Sequence, residues 1–169
     1  NQYNGHYRIY QSGDSLLWIK DTHKLMCIDL YREEYIPDLD AYFKNREIQA
    51  PVKDLFVDDS GHIWLLIANE LLELNNKTRI TLPGKYSGKL QDLNADSTSL
   101  YLFYDTGEVS CYHIADQKTV YNIAAYPASE QAEYQNTSLV VKSADGFYQL
   151  RNGRKGGLFY FNSHKRTWK

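Results

Sequence analysis

At 169 residues, 43% hydrophobic and 14% aromatic, the chain can bury a sizeable core and is too apolar for a disordered segment. A formal net charge of −2 with no Lys/Arg stripe excludes electrostatic nucleic-acid binding. No apolar run approaches the ~20 residues of a membrane-spanning helix.

Fifteen Tyr beside six Phe and one Met favour β-structure, because aromatic side chains suit a pleated surface. In chain order, strand-length apolar runs alternate with Gly, Asn, Asp and Ser clusters, the mark of successive antiparallel strands. A first quartet spans about 6–36: His6–Gln11, Leu16–Lys20, Lys24–Leu30 and Glu34–Ile36, with turns at Ser12-Gly13-Asp14 and Asp21-Thr22-His23. A link from Pro37 to Pro51 follows, and Tyr42, Phe43 and Ile48 predict a loop packed onto the sheet.

The second quartet, 52–82, organises the chain. Val52–Val57 alternates, Asp58-Asp59-Ser60-Gly61 turns, and Ile63–Ile67 runs apolar around Trp64. Asn69-Glu70 reverses into Leu71–Leu74, and Arg79–Leu82 closes the sheet. The third quartet, 90–123, comprises Leu90–Ala95, Ser99–Tyr104, Glu108–Ile114 and Thr119–Ile123, with a hairpin turn at Asp105-Thr106-Gly107. Ala124–Asn136 reads as an irregular link. The fourth, 138–169, comprises Ser138–Ser143, Phe147–Arg151, Leu158–Phe161 and Arg166–Lys169.

The second-strand aromatics Trp18, Trp64, Tyr101 and Tyr148 recur at steps of 46, 37 and 47 residues, which suits propeller blades of roughly 40–50 residues. The expected class is therefore all-β: a partial β-propeller, one domain over 1–169, of about four four-stranded antiparallel blades. Trp18, Trp64, Tyr101 and Tyr148 serve as blade-packing residues, and Gly61 and Gly146 as turn glycines.

The run Asp58-Asp59-Ser60-Gly61-His62-Ile63-Trp64, followed by Asn69-Glu70-Leu71-Leu72-Glu73-Leu74, resembles the two-component-regulator propeller repeat, with its Asp-x-x-Gly-x-Ile-Trp turn. The run from Asp145 to Phe161 is similar to a stretch of the same sensors; the first and third quartets match loosely, with Tyr101 in place of Trp. The resemblance implies the periplasmic sensor region of a Bacteroides-type hybrid two-component system, a histidine kinase joined to a response regulator. Such sensors detect oligosaccharides and control polysaccharide-utilisation genes. It further implies that the remaining blades belong to a longer, inner-membrane parent chain and that this segment neither catalyses a reaction nor touches the membrane.

Each chemical motif has a structural counter-reading. Trp18 and Trp64 could stack on sugars, but one aromatic per repeat reads better as inter-blade packing. Asp58 and Asp59 offer only two carboxylates where Ca²⁺ takes six to eight oxygens, so turn chemistry is favoured. Asp59, Gly61 and Trp64 echo a sialidase Asp box, yet no arginine triad or carboxylate pair accompanies them. A sialidase-like glycosidase and a protein-binding scaffold propeller are the alternatives. His6, His23, His62, His113 and His164 do not cluster, and no cofactor or metal is expected. Cys27 and Cys111 are expected as reduced, partly buried thiols in non-neighbouring blades. The turn Asn152-Gly153-Arg154-Lys155-Gly156 is the best ligand candidate: Asn152, Arg154 and Lys155 on a flexible loop could meet an anionic sugar such as a uronate.

Four blades of a larger ring leave two outer faces open. Leu139, Val141, Phe147, Leu158 and Phe159 are expected on one of them, and self-association of the chain is the expected consequence.

Overall fold

A computed structural model describes residues 7–13, 15–21, 24–82 and 88–169, with backbone only for 135–139. The chain is all-β, with four four-stranded antiparallel sheets, each strand paired to its neighbour in sequence. Blade one is β1 (Arg8–Ser12), β2 (Leu16–Lys20), β3 (Leu25–Asp29) and β4 (Glu34–Tyr35). Blade two is β5 (Val52–Val57), β6 (Ile63–Ile67), β7 (Glu70–Glu73) and β8 (Arg79–Thr81). Blade three is β9 (Leu90–Ala95), β10 (Ser99–Tyr104), β11 (Glu108–His113) and β12 (Lys118–Ala124). Blade four is β13 (Gln135–Ser143), β14 (Gly146–Asn152), β15 (Gly157–Asn162) and β16 (Thr167–Trp168). The expected start at His6 and the turn residues Asp14, Thr22 and His23 lie outside the described residues. The chain divides into two compact units, Asn1–Leu82 and Pro83–Lys169, each holding two blades.

In the first unit, strand alternation sends Trp18 and Cys27 of blade one, and Leu55, Ile63 and Leu65 of blade two, into one shared core. The link after blade one is more ordered than a packed loop. Asp38 caps a short helix, α1 (Leu39–Lys44), by accepting from the Ala41 amide at 2.8 Å, and Asp40 and Lys44 sit at its favourable ends. The helix exists to deliver Phe43, which stacks on Trp18 with ring centroids 6.1 Å apart and planes 6° apart; Tyr42 meets the same indole edge-on. Lys20 crosses to blade two, where its ammonium donates to Asp54 at 2.6 Å and to the Leu55 carbonyl at 2.9 Å.

In the second unit, Tyr101, Phe103, Val109 and Cys111 of blade three pack on Val140, Phe147 and Phe161 of blade four. Polar ties again join the pair: the buried Asp92 carboxylate accepts from the Val140 amide at 3.0 Å, and Lys142 donates to the Ala95 carbonyl at 2.8 Å. The link between these blades, expected to be irregular, contains a 3-10 helix, Ala128–Glu133.

Two expectations about the free face of blade four are corrected. Phe147 is buried, because β14 alternates and Phe147 points with Gln149 and Arg151 toward blade three. Phe159 shares that inward side, pairing with Gln149, and is half-buried. The outward set is Val141, Tyr148, Leu150, Leu158 and Tyr160. Leu139's side chain lies outside the described residues.

Candidate functional site

The repeat turn of blade two is closed on itself. Asp58 is buried, and its carboxylate accepts from the amides of Ser60 and His62 at 2.9 and 3.0 Å and from the Trp64 indole N–H at 3.0 Å. The His62 ring lies 3.1 Å from the same carboxylate. Gly61 takes φ 80°, a left-handed conformation that favours glycine. With its lone pairs filled from within, Asp58 anchors the indole and has little left for a cation. No cluster of three metal-ligating side chains occurs among the described residues.

Blade three repeats the device in a looser sequence. Asp96 accepts from the amides of Thr98 and Ser99 at 2.8 and 2.7 Å and from the Tyr101 hydroxyl at 3.1 Å. Burial opposes ionisation of Asp96, and these donors overcome it, holding the carboxyl below its ordinary value. Burial raises the Tyr101 hydroxyl in turn. In blade four, Gly146 fills the turn position for a steric reason: a Cβ there would sit 1.9 Å from the Phe161 carbonyl oxygen.

Asn152, Arg154 and Lys155 lie together and exposed at the β14–β15 turn. They differ in what they have free. Lys155 is committed to the 3-10 helix: its ammonium lies 2.9 Å from Glu130, which raises its pKa, and its amide donates to the Glu133 carbonyl at 3.1 Å. Arg154 makes no hydrogen bond or ion pair with any described residue. The turn and the link before blade four thus meet at one end of that blade, and of the two cations of the turn Arg154 is the one left unengaged among the described residues.

Beneath them lies a group that sequence reasoning missed. Arg151 is 1% exposed, with no carboxylate partner among the described residues. Its Nε and Nη2 both donate to the Gln149 side-chain oxygen, at 2.9 and 2.7 Å. The guanidinium is caged by Trp168, Phe159 and Tyr126, at 4.3, 4.5 and 5.1 Å from the ring centroids. Tyr126 stacks on Tyr134 from the link, 4.0 Å between centroids, and Gly107 must lack a side chain because a Cβ would fall 2.4 Å from the Tyr126 ring. Nη1 and the Trp168 indole N–H have no partner among the described residues. Burial lowers the Arg151 pKa to about 10. The available signal was alternation: Phe147, Gln149 and Arg151 share the inward register of β14.

Trp18 and Trp64, the two aromatics that could have stacked on sugars, are buried and out of a ligand's reach; of the other second-strand aromatics, Tyr101 is buried and Tyr148 is 42% exposed. Cys27 and Cys111 are free, buried thiols, and burial pushes Cys27 up to about 11.

No family model and no curated protein matches the chain. Among solved structures, it is similar to the β-propeller domain of Myceliophteria thermophila Cps50 (Swd1), at 14% identity and TM-score 0.54 over 95% of this chain and 55% of that one. It is also similar to Kuenenia stuttgartiensis hydrazine synthase, at 10% identity and TM-score 0.59 over 95% and 46%. A third match, at 11% identity and TM-score 0.49 over 89% and 19%, is the extracellular domain of a hybrid two-component system from B. thetaiotaomicron. At these identities the likeness shows the β-propeller fold alone. The chain spans about half the length of the first two structures.

Proposed function

We propose that the chain is a recognition segment, with no catalytic step of its own, from the periplasmic sensor of a hybrid two-component regulator, and that its ligand is an oligosaccharide. The observation that carries this reading is the Asp58-x-x-Gly61-x-Ile63-Trp64 turn. The residues that resemble the regulator repeat are the ones that close its hydrogen-bonded knot, and blade three builds the same knot with Asp96 and Tyr101. No described helix is long and apolar enough to cross a membrane, which is compatible with an extracytoplasmic segment of a longer chain.

Within that role the ligand-facing residue is Arg154, with Asn152 beside it and Lys155 engaged by Glu130. A guanidinium with all its donors free suits a uronate carboxylate better than a neutral sugar. Signalling then requires that the ligand bind two arrangements of the parent sensor with different affinities. Titration calorimetry of the chain against neutral and uronate-bearing oligosaccharides tests the reading. Binding of a uronate oligosaccharide, weakened about tenfold by Arg154→Gln as expected for one lost charge-assisted contact, supports it. Absence of binding to every oligosaccharide overturns it. Binding indifferent to Arg154→Gln overturns the placement of the site.

A further inference from the structure

Buried charges elsewhere in the chain are settled from within. Asp58 fills its lone pairs from Ser60, His62 and Trp64, and the Lys20 ammonium finds Asp54 at 2.6 Å. Arg151 differs. Burial lowers its pKa only to about 10, so the guanidinium is cationic at neutral pH. It is enclosed on the side of blade four that packs on blade three, yet no carboxylate among the described residues meets it. Nε and Nη2 are spent on one oxygen of Gln149, and Nη1 is left without an acceptor.

A second orphan donor lies against it. Trp168 shares the inward register of Phe161, and its ring sits 4.3 Å from the Arg151 guanidinium carbon. Its buried indole N–H likewise has no acceptor among the described residues. The faces of Trp168, Phe159 and Tyr126 attract the positive charge, but they offer neither donor an oxygen. A buried donor left unmade keeps the full desolvation cost of the group. Guanidinium and indole N–H groups can only donate, so what both lack is an acceptor. The uncompensated charge between them selects an anion.

We propose that Arg151 and Trp168 form a carboxylate subsite, in which Nη1 and the indole N–H each donate to the ligand's carboxylate. A carboxylate suits the pair better than phosphate or sulfate. Its single charge matches the lone guanidinium, its two oxygens match the two orphan donors, and the aromatic walls take the carbon attached to it. The cover over the cage is lightly held. Tyr126 stacks on Tyr134, and the 3-10 helix between them, Ala128–Glu133, has no side-chain cap. It is joined to the β14–β15 turn by the exposed Lys155–Glu130 pair and by a hydrogen bond from the Lys155 backbone N–H to the Glu133 carbonyl. Exposed pairs contribute little, so lifting this strap is the route by which a ligand enters. The subsite lies within one unit and is independent of the sensor reading and of Arg154.

Nitrogen–proton correlation spectra of the chain, titrated with acetate at constant ionic strength, test the proposal, because the Trp168 indole N–H is its own reporter. Its signal is the one lost in Trp168→Phe, and Trp18 and Trp64 are controls in the same spectrum. The expected result is a saturable downfield shift of the Trp168 signal while the other two stay still. Its half-saturation should rise at least about tenfold in Arg151→Met, which removes the charge and keeps the volume. Unmoved Trp18 and Trp64 signals establish that this variant folds. Should it not fold, Trp168→Phe carries the test, since it keeps a ring and loses the donor. The rise in denaturation midpoint that acetate gives wild type by mass action should then be mostly lost. Glucuronate, with glucose as the neutral control, identifies the source of the carboxylate. Tighter binding of glucuronate than of acetate supports a subsite for a sugar acid, and binding of acetate alone supports one for a small free acid. A Trp168 signal that ignores both overturns the proposal. So does a shift unchanged in Arg151→Met, or a midpoint gain unchanged in Trp168→Phe.

Discussion

Trp18 and Tyr148 occupy the same place in their blades and meet opposite ends. Trp18 is wholly buried, stacked on Phe43 and enclosed by blade two; Tyr148 stands 42% open beside Tyr160. Strand, register and direction are shared, so local sequence does not separate them. What separates them is the neighbour: blade two packs on the Trp18 face, whereas Tyr148 stands on the face of blade four turned away from blade three. A propeller blade is hydrophobic on both faces, and burial belongs to the pair of blades and not to either one.

The largest expected effect breaks this comparison most directly. Trp18→Ala should cost about 3–5 kcal/mol, by lost transfer free energy and the cavity left under Phe43. Tyr148→Ala should cost about 0.5 kcal/mol or less. Urea denaturation at low micromolar concentration reads both. Equal losses would mean that Tyr148 is already covered within one chain.

Next comes the knot that fixes the neighbouring aromatic. Asp58→Ala would leave the buried Trp64 indole N–H and two turn amides without their acceptor, at a cost of about 3 kcal/mol. Asp58→Asn keeps one acceptor oxygen and should lose less. A milder loss for Asp58→Ala than for Asp58→Asn would show that the carboxylate does not hold the turn.

A smaller, pH-dependent effect sits beneath Trp18. Burial, and secondarily the nearby Asp29 carboxylate, raise Cys27 from 9.0 to about 11. The folded chain keeps the thiol proton between those values, whereas the unfolded chain gives it up. The contribution of Cys27 to stability is therefore full below pH 9 and falls as pH rises toward 11. Denaturation midpoints taken from pH 8 to 11 should fall less steeply in Cys27→Ala than in wild type; parallel curves would refute the assignment.

How much of this was legible in the sequence follows from the range of the forces involved. Strand periodicity and turn chemistry are local, so β2, β5, β6, β9 and β10 fall where the apolar runs place them. The helix α1 depends on Asp38 as a cap and on Phe43 finding Trp18, a contact across 25 residues that no local pattern displays. Hydrophobicity alone puts Phe147 on the outer face of blade four; its register beside Gln149 and Arg151 sends it inward. The turn Asn152–Gly156 was visible as cations on glycines. Its division into a tied Lys155 and an open Arg154 depends on Glu130 and Glu133, about 20 residues earlier. Arg151 escaped notice because a charged residue is expected outside, and its cage is drawn from three separate segments.

The smallest expected effect sharpens the contrast between the two turns. The blade-two turn is held by a buried carboxylate and tolerates little; the blade-four turn is held by the exposed Lys155–Glu130 pair, with side chains 48% and 38% accessible. Exposed pairs of this kind contribute little to stability and are screened by salt. Lys155→Gln should therefore leave the denaturation midpoint nearly unchanged, and moderate salt should abolish what difference there is. The hydrogen bond from its backbone N–H to the Glu133 carbonyl survives the substitution, so the turn keeps its place and uronate affinity should stay within about twofold of wild type. Arg154→Gln should show the reverse, an unchanged midpoint with weakened binding. Equal losses of affinity in the two variants would mean that Lys155 leaves Glu130 to meet the ligand, and that the pair is a latch on the turn and not a strut beneath it.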